Sequence, residues 1–157
     1  MRIRFVVFLL SITAVVYSSP LDTAYDLLDA VTYQDGYALE EIFTDDLYRT
    51  FTSFFDQIRA LVELDPVLAE SLLHNRYRGR LTISDFQGLS DQEIFGKIMG
   101  EIHLQPDEQI EQETVSMQGR DATVVILYFN GASISFRMVW ENSYWKIADT
   151  SLLATLF

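Results

Sequence analysis

Residues 122–148 read ATVVILYFNGASISFRMVWENSYWKIA, and this stretch decides the fold. It is rich in β-branched and aromatic residues, as is typical of strands, and over Ser133–Met138 its apolar residues alternate with polar ones, as in a strand with one buried face. Asn130-Gly131 interrupts the pattern, and Asn-Gly is the strongest short-range signal for a hairpin turn. Asn142-Ser143 predicts a second turn. The predicted strands are Ala122–Phe129, Ala132–Trp140 and Tyr144–Ala148, preceded by a largely polar strand over Gln109–Gln118.

The residues upstream, from Leu21 to about His103, carry apolar side chains at helical spacing instead. The strongest stripe follows a cap at Thr44 and consists of Leu47, Phe51, Phe54, Phe55, Ile58, Leu61 and Val62. Further helix starts are predicted at Asp65-Pro66 and at the capping box Ser90-Asp91-Gln92-Glu93. The order of elements predicts an α+β fold, in which N-terminal helices pack on one face of a curved antiparallel sheet of about four strands.

Two-residue turns fix which side chains share a face of the sheet. They place Leu127 opposite Ile134 and Trp140 opposite Trp145. The face predicted to meet the helices carries Val125, Leu127, Phe129, Ile134, Phe136, Met138, Trp140, Trp145 and Ile147. The opposite face is mixed, and its apolar members Val124, Ile126, Tyr128 and Val139 form a homodimer surface in one interpretation. A monomer with a partly covered sheet is the other interpretation.

The N-terminus has the pattern of a secretory signal peptide. Arg2 and Arg4 precede a nearly uninterrupted apolar run, Phe5–Val16. A helix over this run rises only about 18 Å, which is short of the ~30 Å hydrocarbon core of a bilayer. We therefore expect a cleaved signal peptide over residues 1–18 and a single domain over residues 19–157. The mature protein is expected to be secreted or periplasmic, without a membrane span.

The composition excludes several classes of function. The chain has 157 residues, 23 of them acidic and 11 basic, and a net charge of −12, which argues against nucleic-acid binding. It has no cysteine, and therefore no disulfide, thiolate metal site or cysteine nucleophile. Glu101 and His103 are two residues apart and do not converge on a helix. Because metal motifs and glycine-rich phosphate loops are also missing, neither a metal nor a cofactor is expected.

Helices followed by a meander that ends in Asn142-Ser143-Tyr144-Trp145-Lys146-Ile147 resemble the nuclear transport factor 2-like fold, within the cystatin-like superfamily. In many members the last strand has the pattern Gly-x-Trp-x-Ile at this place. The carboxylate base and the tyrosine–acid pair of members similar to ketosteroid isomerase have no counterpart that the sequence identifies. The resemblance therefore implies a fold with a cavity and does not imply an activity.

Two candidate sites lie on the predicted helix-facing side of the sheet. Phe136, Met138, Trp140 and Trp145, together with Phe55, are expected to line an apolar cavity for a small ligand, unless these aromatics simply fill the core. Asp149 is expected opposite Phe136, where burial would raise its pKa and suit it to act as a general base, with Tyr128 or Tyr144 as hydrogen-bond donor. In the alternative interpretation, Asp149 caps a segment that begins near Ser151.

A basic cluster stands out in this acidic chain: His74, Arg76, Arg78 and Arg80. Arg76, Arg78 and Arg80 are candidates for binding an anion. Cations at the C-terminal end of a helix are also favoured by the helix dipole alone, so both explanations stay open.

The lack of a convincing catalytic set favours an exported, non-enzymatic binding or interaction domain. One alternative is a small lyase, isomerase or hydrolase that uses Asp149 as base. Another is an accessory or inhibitor domain for a second exported protein.

Overall fold

A computed structural model describes residues 18–102, 104 and 109–153. Residues 1–17, which make up most of the predicted signal peptide, and His103 lie outside this description. The helices are α1 (Pro20–Tyr33), α2 (Gly36–Ile42), α3 (Asp45–Leu64), α4 (Pro66–Tyr77), α5 (Ile83–Gly88) and α6 (Asp91–Met99). The strands are β1 (Ile110–Gln118), β2 (Asp121–Tyr128), β3 (Ser133–Glu141) and β4 (Tyr144–Thr150). The strands form one antiparallel sheet in the order β1-β2-β3-β4, and the predicted α+β fold is confirmed.

The predicted helix starts are confirmed at their cap residues. The side chains of Thr44, Asp65 and Ser90 each accept a hydrogen bond from a backbone N–H three residues later, which satisfies a donor that the first helical turn leaves unpaired. Helix α5 was not predicted, although Thr82 and Asp85 form a capping box at its start. It is six residues long and buries only Phe86, so it is too short to show a helical period.

Helices α1, α2 and α3 pack against the sheet, and α6 packs against α2. The stripe predicted on α3 faces the core, where Phe51, Phe55, Ile58 and Val62 are buried. At the centre of the helical layer, the ring of Phe95 exposes none of its surface and packs against four aromatic rings, those of Phe43, Tyr48, Phe51 and Phe55.

Helices α2 and α6 approach each other backbone to backbone. A Cβ at Gly36 would lie 1.7 Å from the carbonyl oxygen of Gln92, and a Cβ at Gly96 would lie 2.2 Å from that of Gln34. No side chain fits between these backbones, so glycine is required at both positions. This contact fixes the short helix α2 against the rest of the helical layer.

The predicted register between β2 and β3 is wrong by one residue. Ile126, and not Leu127, is the partner of Ile134. The connection is a three-residue loop, Phe129-Asn130-Gly131, in which the N–H of Gly131 donates to the carbonyl of Tyr128 and Gly131 has φ +82°. This geometry is the common three-residue hairpin, with a glycine in the left-handed region at its last position.

The shift inverts both faces of β2, because side chains alternate along a strand. Val124, Ile126 and Tyr128 expose at most 1% of their surface and belong to the core. They therefore cannot form the predicted homodimer surface, of which only Val139 lies on the open face. Val125 and Leu127, predicted to face the helices, are on that open face instead and are half-buried.

Candidate functional site

Asp149 does not lie where the predicted register places it. The pairing of β3 with β4 shifts between Met138, which faces Ile147, and Arg137, which faces Asp149, so Ala148 is an extra residue. This bulge turns Asp149 to the open face, where its side chain is exposed. The capping role belongs to Thr150 instead, because its hydroxyl accepts the N–H of Leu152.

The two candidate tyrosines do not join Asp149. Tyr128 is 1% exposed on the helix-facing side of the sheet, whereas Asp149 lies on the open side. Tyr144 is 63% exposed and begins β4, five residues before Asp149 in the same strand, a separation of about 16 Å. Asp149 and Tyr128 are therefore separated by the sheet itself and cannot act on one substrate atom.

The residues predicted to line an apolar cavity are mostly core. Phe55, Phe136 and Met138 expose none of their surface, so they border no space that holds a water molecule. This packing contradicts the prediction of a cavity at these three residues. Trp140 and Trp145 are cross-strand partners as predicted, with ring centroids 5.3 Å apart and an interplanar angle of 66°. Such a pair stabilises an antiparallel sheet by about 0.2–1 kcal/mol.

The arginines of the basic cluster have different surroundings. Arg76 lies over the Phe54 ring, 5.7 Å from its centroid, and Arg80 forms an ion pair with Glu101. Arg78 is the C-cap residue that follows α4, and its backbone is in the left-handed conformation, with φ +51°. All three side chains are exposed, and their binding of an anion stays a prediction. Over the residues that the structure describes, no group of three His, Asp or Glu side chains is arranged to hold a metal ion.

A groove that the sequence did not predict runs along α1, α2 and the start of β4. It consists of two adjoining pockets of about 570 Å³ and about 380 Å³, both lined by Asp26, Glu41 and Ile42. The larger pocket also contacts Tyr144, Trp145 and Lys146, and the smaller one contacts Asp29, Tyr33 and Asp35. We call it the α1–α2 groove. Of the five residues predicted to bind a ligand, only Trp145 lines it.

The α1–α2 groove is strongly acidic. Burial raises the pKa of the Asp26 carboxyl, and the negative charges of Asp22 and Asp29 raise it further. Lys146 is the only cation among the described residues that line the groove, and its Nζ lies 4.0 Å from Asp45 outside it. The carboxylates in the groove are therefore held near one another with little compensating charge.

The sequence did contain a signal for this groove. Asp22, Asp26 and Asp29 stand at i, i+4 and i+7 in the first helix, so they lie on one helical face. The partner wall, formed by α2 and β4, depends on contacts between distant residues. One of these is between the Thr23 hydroxyl and the Trp145 carbonyl oxygen, which are 3.5 Å apart.

A further pocket of about 340 Å³ lies beside Arg59. The guanidinium of Arg59 forms hydrogen bonds and an ion pair within the domain. Nε donates to the carbonyl of Phe86 over 3.2 Å, Nη2 donates to that of Leu89 over 3.5 Å, and Nη1 lies 2.6 Å from Asp91. Arg59 thus joins α3 to the end of α5 and the start of α6. Because the Arg59 guanidinium already binds these carbonyls and this carboxylate, its role is to hold the helices together and not to bind an anionic ligand.

Replacing Arg59 with methionine is expected to lower the free energy of unfolding by about 2 kcal/mol, because two carbonyls and the Asp91 carboxylate lose their partner. Urea denaturation measures the change. Arg49→Met, in the same helix, is the control: its side chain is 75% exposed and pairs with an Asp46 that is 96% exposed, so we expect less than about 0.5 kcal/mol. Equal losses in the two variants would contradict the structural role of Arg59.

The described part of the chain contains no helix that is both long and apolar enough to cross a membrane. No protein-family model matches the chain, and neither a curated protein nor a solved structure matches it.

Proposed function

We propose that the protein is a non-enzymatic binding domain whose α1–α2 groove takes a ligand that combines an apolar or aromatic body with a positive charge. The observation that carries this proposal is the mixture of side chains in one groove. Its carboxylates are those of Asp26, Asp29, Asp35 and Glu41, and its apolar and aromatic walls are Ile42, Tyr33, Tyr144 and Trp145.

The two kinds of side chain complement two parts of one ligand. Tyrosine and tryptophan rings attract cations at their faces, and their edges and faces also pack against apolar groups. A cation bound beside Asp26 stabilises the charged carboxylate, which opposes the effect of burial and of the neighbouring carboxylates on its pKa. The net charge of −12 also favours the approach of a cationic ligand.

We also propose that the protein is exported and that its domain has the nuclear transport factor 2-like fold. The predicted signal peptide over residues 1–18 supports a ligand met outside the cytoplasm. The order of helices followed by an antiparallel meander supports the resemblance. The groove lies where α1 and α2 meet β4, and the space between the helices and the centre of the sheet is filled by core residues such as Phe136.

The enzymatic alternative has less support. A lyase, isomerase or hydrolase needs its base and its hydrogen-bond donor around one substrate, and Asp149 and Tyr128 lie on opposite sides of the sheet. An accessory role toward another exported protein is a second proposal. It is favoured by the exposed edge strand β1, all of whose residues from Glu111 to Gln118 are exposed.

Phenethylamine, a ring that carries a positive charge, is expected to bind in the groove, and phenylacetate, the same ring with a negative charge, is not. Titration of the ¹⁵N-labelled protein should shift the backbone amide of Asp26 and the indole N–H of Trp145. The double variant Asp26→Asn/Glu41→Gln is expected to weaken binding at least fivefold. Binding is also expected to weaken as the pH falls from 7 to 4, because Asp26, whose pKa is raised, becomes protonated while the amine stays charged.

Glu70→Gln is the matched control, because Glu70 is exposed on α4, away from the groove. It removes one negative charge and should leave the affinity unchanged within twofold. Equal binding of phenylacetate, or an unchanged affinity in the double variant, would refute the proposed ligand class. Butylamine keeps the positive charge of phenethylamine and lacks its ring. The difference between their affinities therefore measures the contribution of the ring to binding.

A further inference from the structure

The two edge strands of the sheet, β1 and β4, differ in whether other backbone pairs with their outer edges. The outer edge of β4 is blocked at its centre, because Phe43 forms a parallel bridge with Ile147 and the N–H of Thr44 donates to the carbonyl of Ile147 over 3.0 Å. No residue in the described ranges pairs with the outer edge of β1. Every second residue of an edge strand turns its N–H and C=O outward, so β1 offers unpaired main-chain donors and acceptors.

The helix-facing side of β1 is also uncovered. Val115 and Met117 are partners of Val124 and Ala122, which expose at most 2% of their surface, yet Val115 is 41% and Met117 is 59% exposed. The helical layer therefore leaves the side chains of Val115 and Met117 uncovered, although Tyr25 of α1 reaches the neighbouring Glu113. A strand placed beside β1 would cover the side chains of Val115 and Met117 as well as the main-chain edge.

Strand β1 has only part of the usual protection of a free edge, namely the inward-facing charge of Glu113 and an irregular pairing at its start. Natural edge strands are commonly short or carry lysine or proline, which oppose pairing with another chain. Strand β1 has nine residues, Ile-Glu-Gln-Glu-Thr-Val-Ser-Met-Gln, with no lysine, arginine or proline among them. Its pairing with β2 is irregular only between Ile110 and Gln112, and it is regular from there to Gln118.

We propose that β1 binds an extended segment of another protein as a fifth strand of the sheet. Cross-strand neighbours on the helix-facing side set its sequence: apolar residues opposite Val115 and Met117, and a lysine or arginine opposite Glu113. The Tyr25 hydroxyl donates to Oε1 of Glu113 and orients this carboxylate, whose other oxygen can accept a bond from the incoming cation.

The negative charge of this chain favours a basic segment, and not a second copy of the chain, as the strand that pairs with β1. A second copy would bring its own net charge of −12 and a second Glu113 to the same edge. A basic segment instead meets an acidic surface, and like charges directly opposite one another destabilise a strand pair. On the open face, Gln112, Thr114 and Ser116 are polar and uncharged, so the segment carries neutral polar residues there.

The test uses the full chain and a fluorescent peptide, Thr-Val-Thr-Val-Thr-Lys-Thr, which presents two valines and the lysine to one side of an antiparallel strand. Fluorescence anisotropy should show binding, and replacing the peptide's lysine with glutamate should weaken it at least tenfold. Methylation of the peptide amides that face β1 should abolish binding, whereas methylation of the amides that face away should not. Hydrogen exchange of β1 amides should slow in the complex.

Two variants of the protein separate strand addition from general attraction. Met117→Lys adds a charge to the helix-facing side of β1 and should weaken binding at least tenfold. Ser116→Lys adds the same charge on the open face and should leave the affinity unchanged within twofold. Similar affinities for the lysine and glutamate peptides, or binding that tolerates methylation on both edges, would overturn the proposal. So would a dimer of the full chain, seen in sedimentation, that Met117→Lys abolishes, since the occupant would then be a second copy.

Discussion

Replacing Gly96 with alanine is expected to lower the free energy of unfolding by about 3 kcal/mol. Gly96 lies in the interior of α6, where alanine ordinarily stabilises a helix by about 1 kcal/mol relative to glycine. A Cβ at this position would lie 2.2 Å from the carbonyl oxygen of Gln34 and 3.0 Å from the nitrogen of Gly36. Both are backbone atoms, so α2 and α6 must separate to admit the methyl group, and this overpacking outweighs the gain in helix propensity.

Gly88→Ala is the matched control for Gly96→Ala. Gly88 is the last residue of α5, and a Cβ there would meet nothing within 4 Å. Urea denaturation of both variants should show a loss for Gly96→Ala and a change within about 0.5 kcal/mol for Gly88→Ala. A Gly96→Ala variant as stable as the parent would show that α2 and α6 are not in backbone contact.

Replacing Phe95 with alanine is expected to lower the free energy of unfolding by about 4 kcal/mol, because a fully buried ring leaves a cavity. Its ring centroid lies 4.6 Å from that of Phe51, 5.5 Å from that of Phe43 and 6.4 Å from that of Phe55. These rings belong to α3 and to the segment between α2 and α3. Loss of the Phe95 ring thus removes contacts from several helices at once.

Phe129→Ala tests whether burial, and not the loss of any phenylalanine, causes this effect. The side chain of Phe129 is 70% exposed in the loop between β2 and β3, and we expect its removal to change the free energy of unfolding by less than about 0.5 kcal/mol. Thermal unfolding followed by circular dichroism compares the two variants. Comparable losses would mean that Phe95 is not at the centre of the core.

Local signals in the sequence were sufficient for the starts of α3, α4 and α6, although they did not reveal α5. The caps at Thr44, Asp65 and Ser90 act through backbone groups three residues away, so their effect depends little on the rest of the fold. The same holds for Asn142-Ser143, where both residues have positive φ and form the predicted two-residue turn. This turn places Trp140 opposite Trp145 as predicted.

The faces of the sheet were harder to predict, because one residue reverses them. Asn-Gly fits a two-residue turn, which needs positive φ at both positions, but only Gly131 has it here. The side chain of Asn130 instead accepts the N–H of Ala132 over 2.9 Å, which supports the three-residue loop. The extra residue at Ala148 reverses Asp149 in the same way. The three-residue loop and the bulge at Ala148 both depend on how the strands pack against the helices.

Only one wall of the α1–α2 groove, the acidic face of α1, has a signal in the sequence. The spacing of Asp22, Asp26 and Asp29 indicated an acidic face, but the opposite wall depends on how α2 sits beside α1. That placement is fixed by the contact of Gly36 and Gly96 with backbone atoms of distant residues. A glycine that is needed for close approach has no local pattern that separates it from a glycine in a turn.

The bridge between Phe43 and Ile147 limits the stoichiometry of any assembly through the sheet. A subunit with two open edges can be extended at both ends and can grow into a filament, whereas a subunit with one open edge ends the chain of strands that it joins. Because the centre of β4 is blocked, β1 is the one edge among the described residues at which a guest strand can pair along its full length. We therefore expect complexes of fixed size, with one guest per molecule.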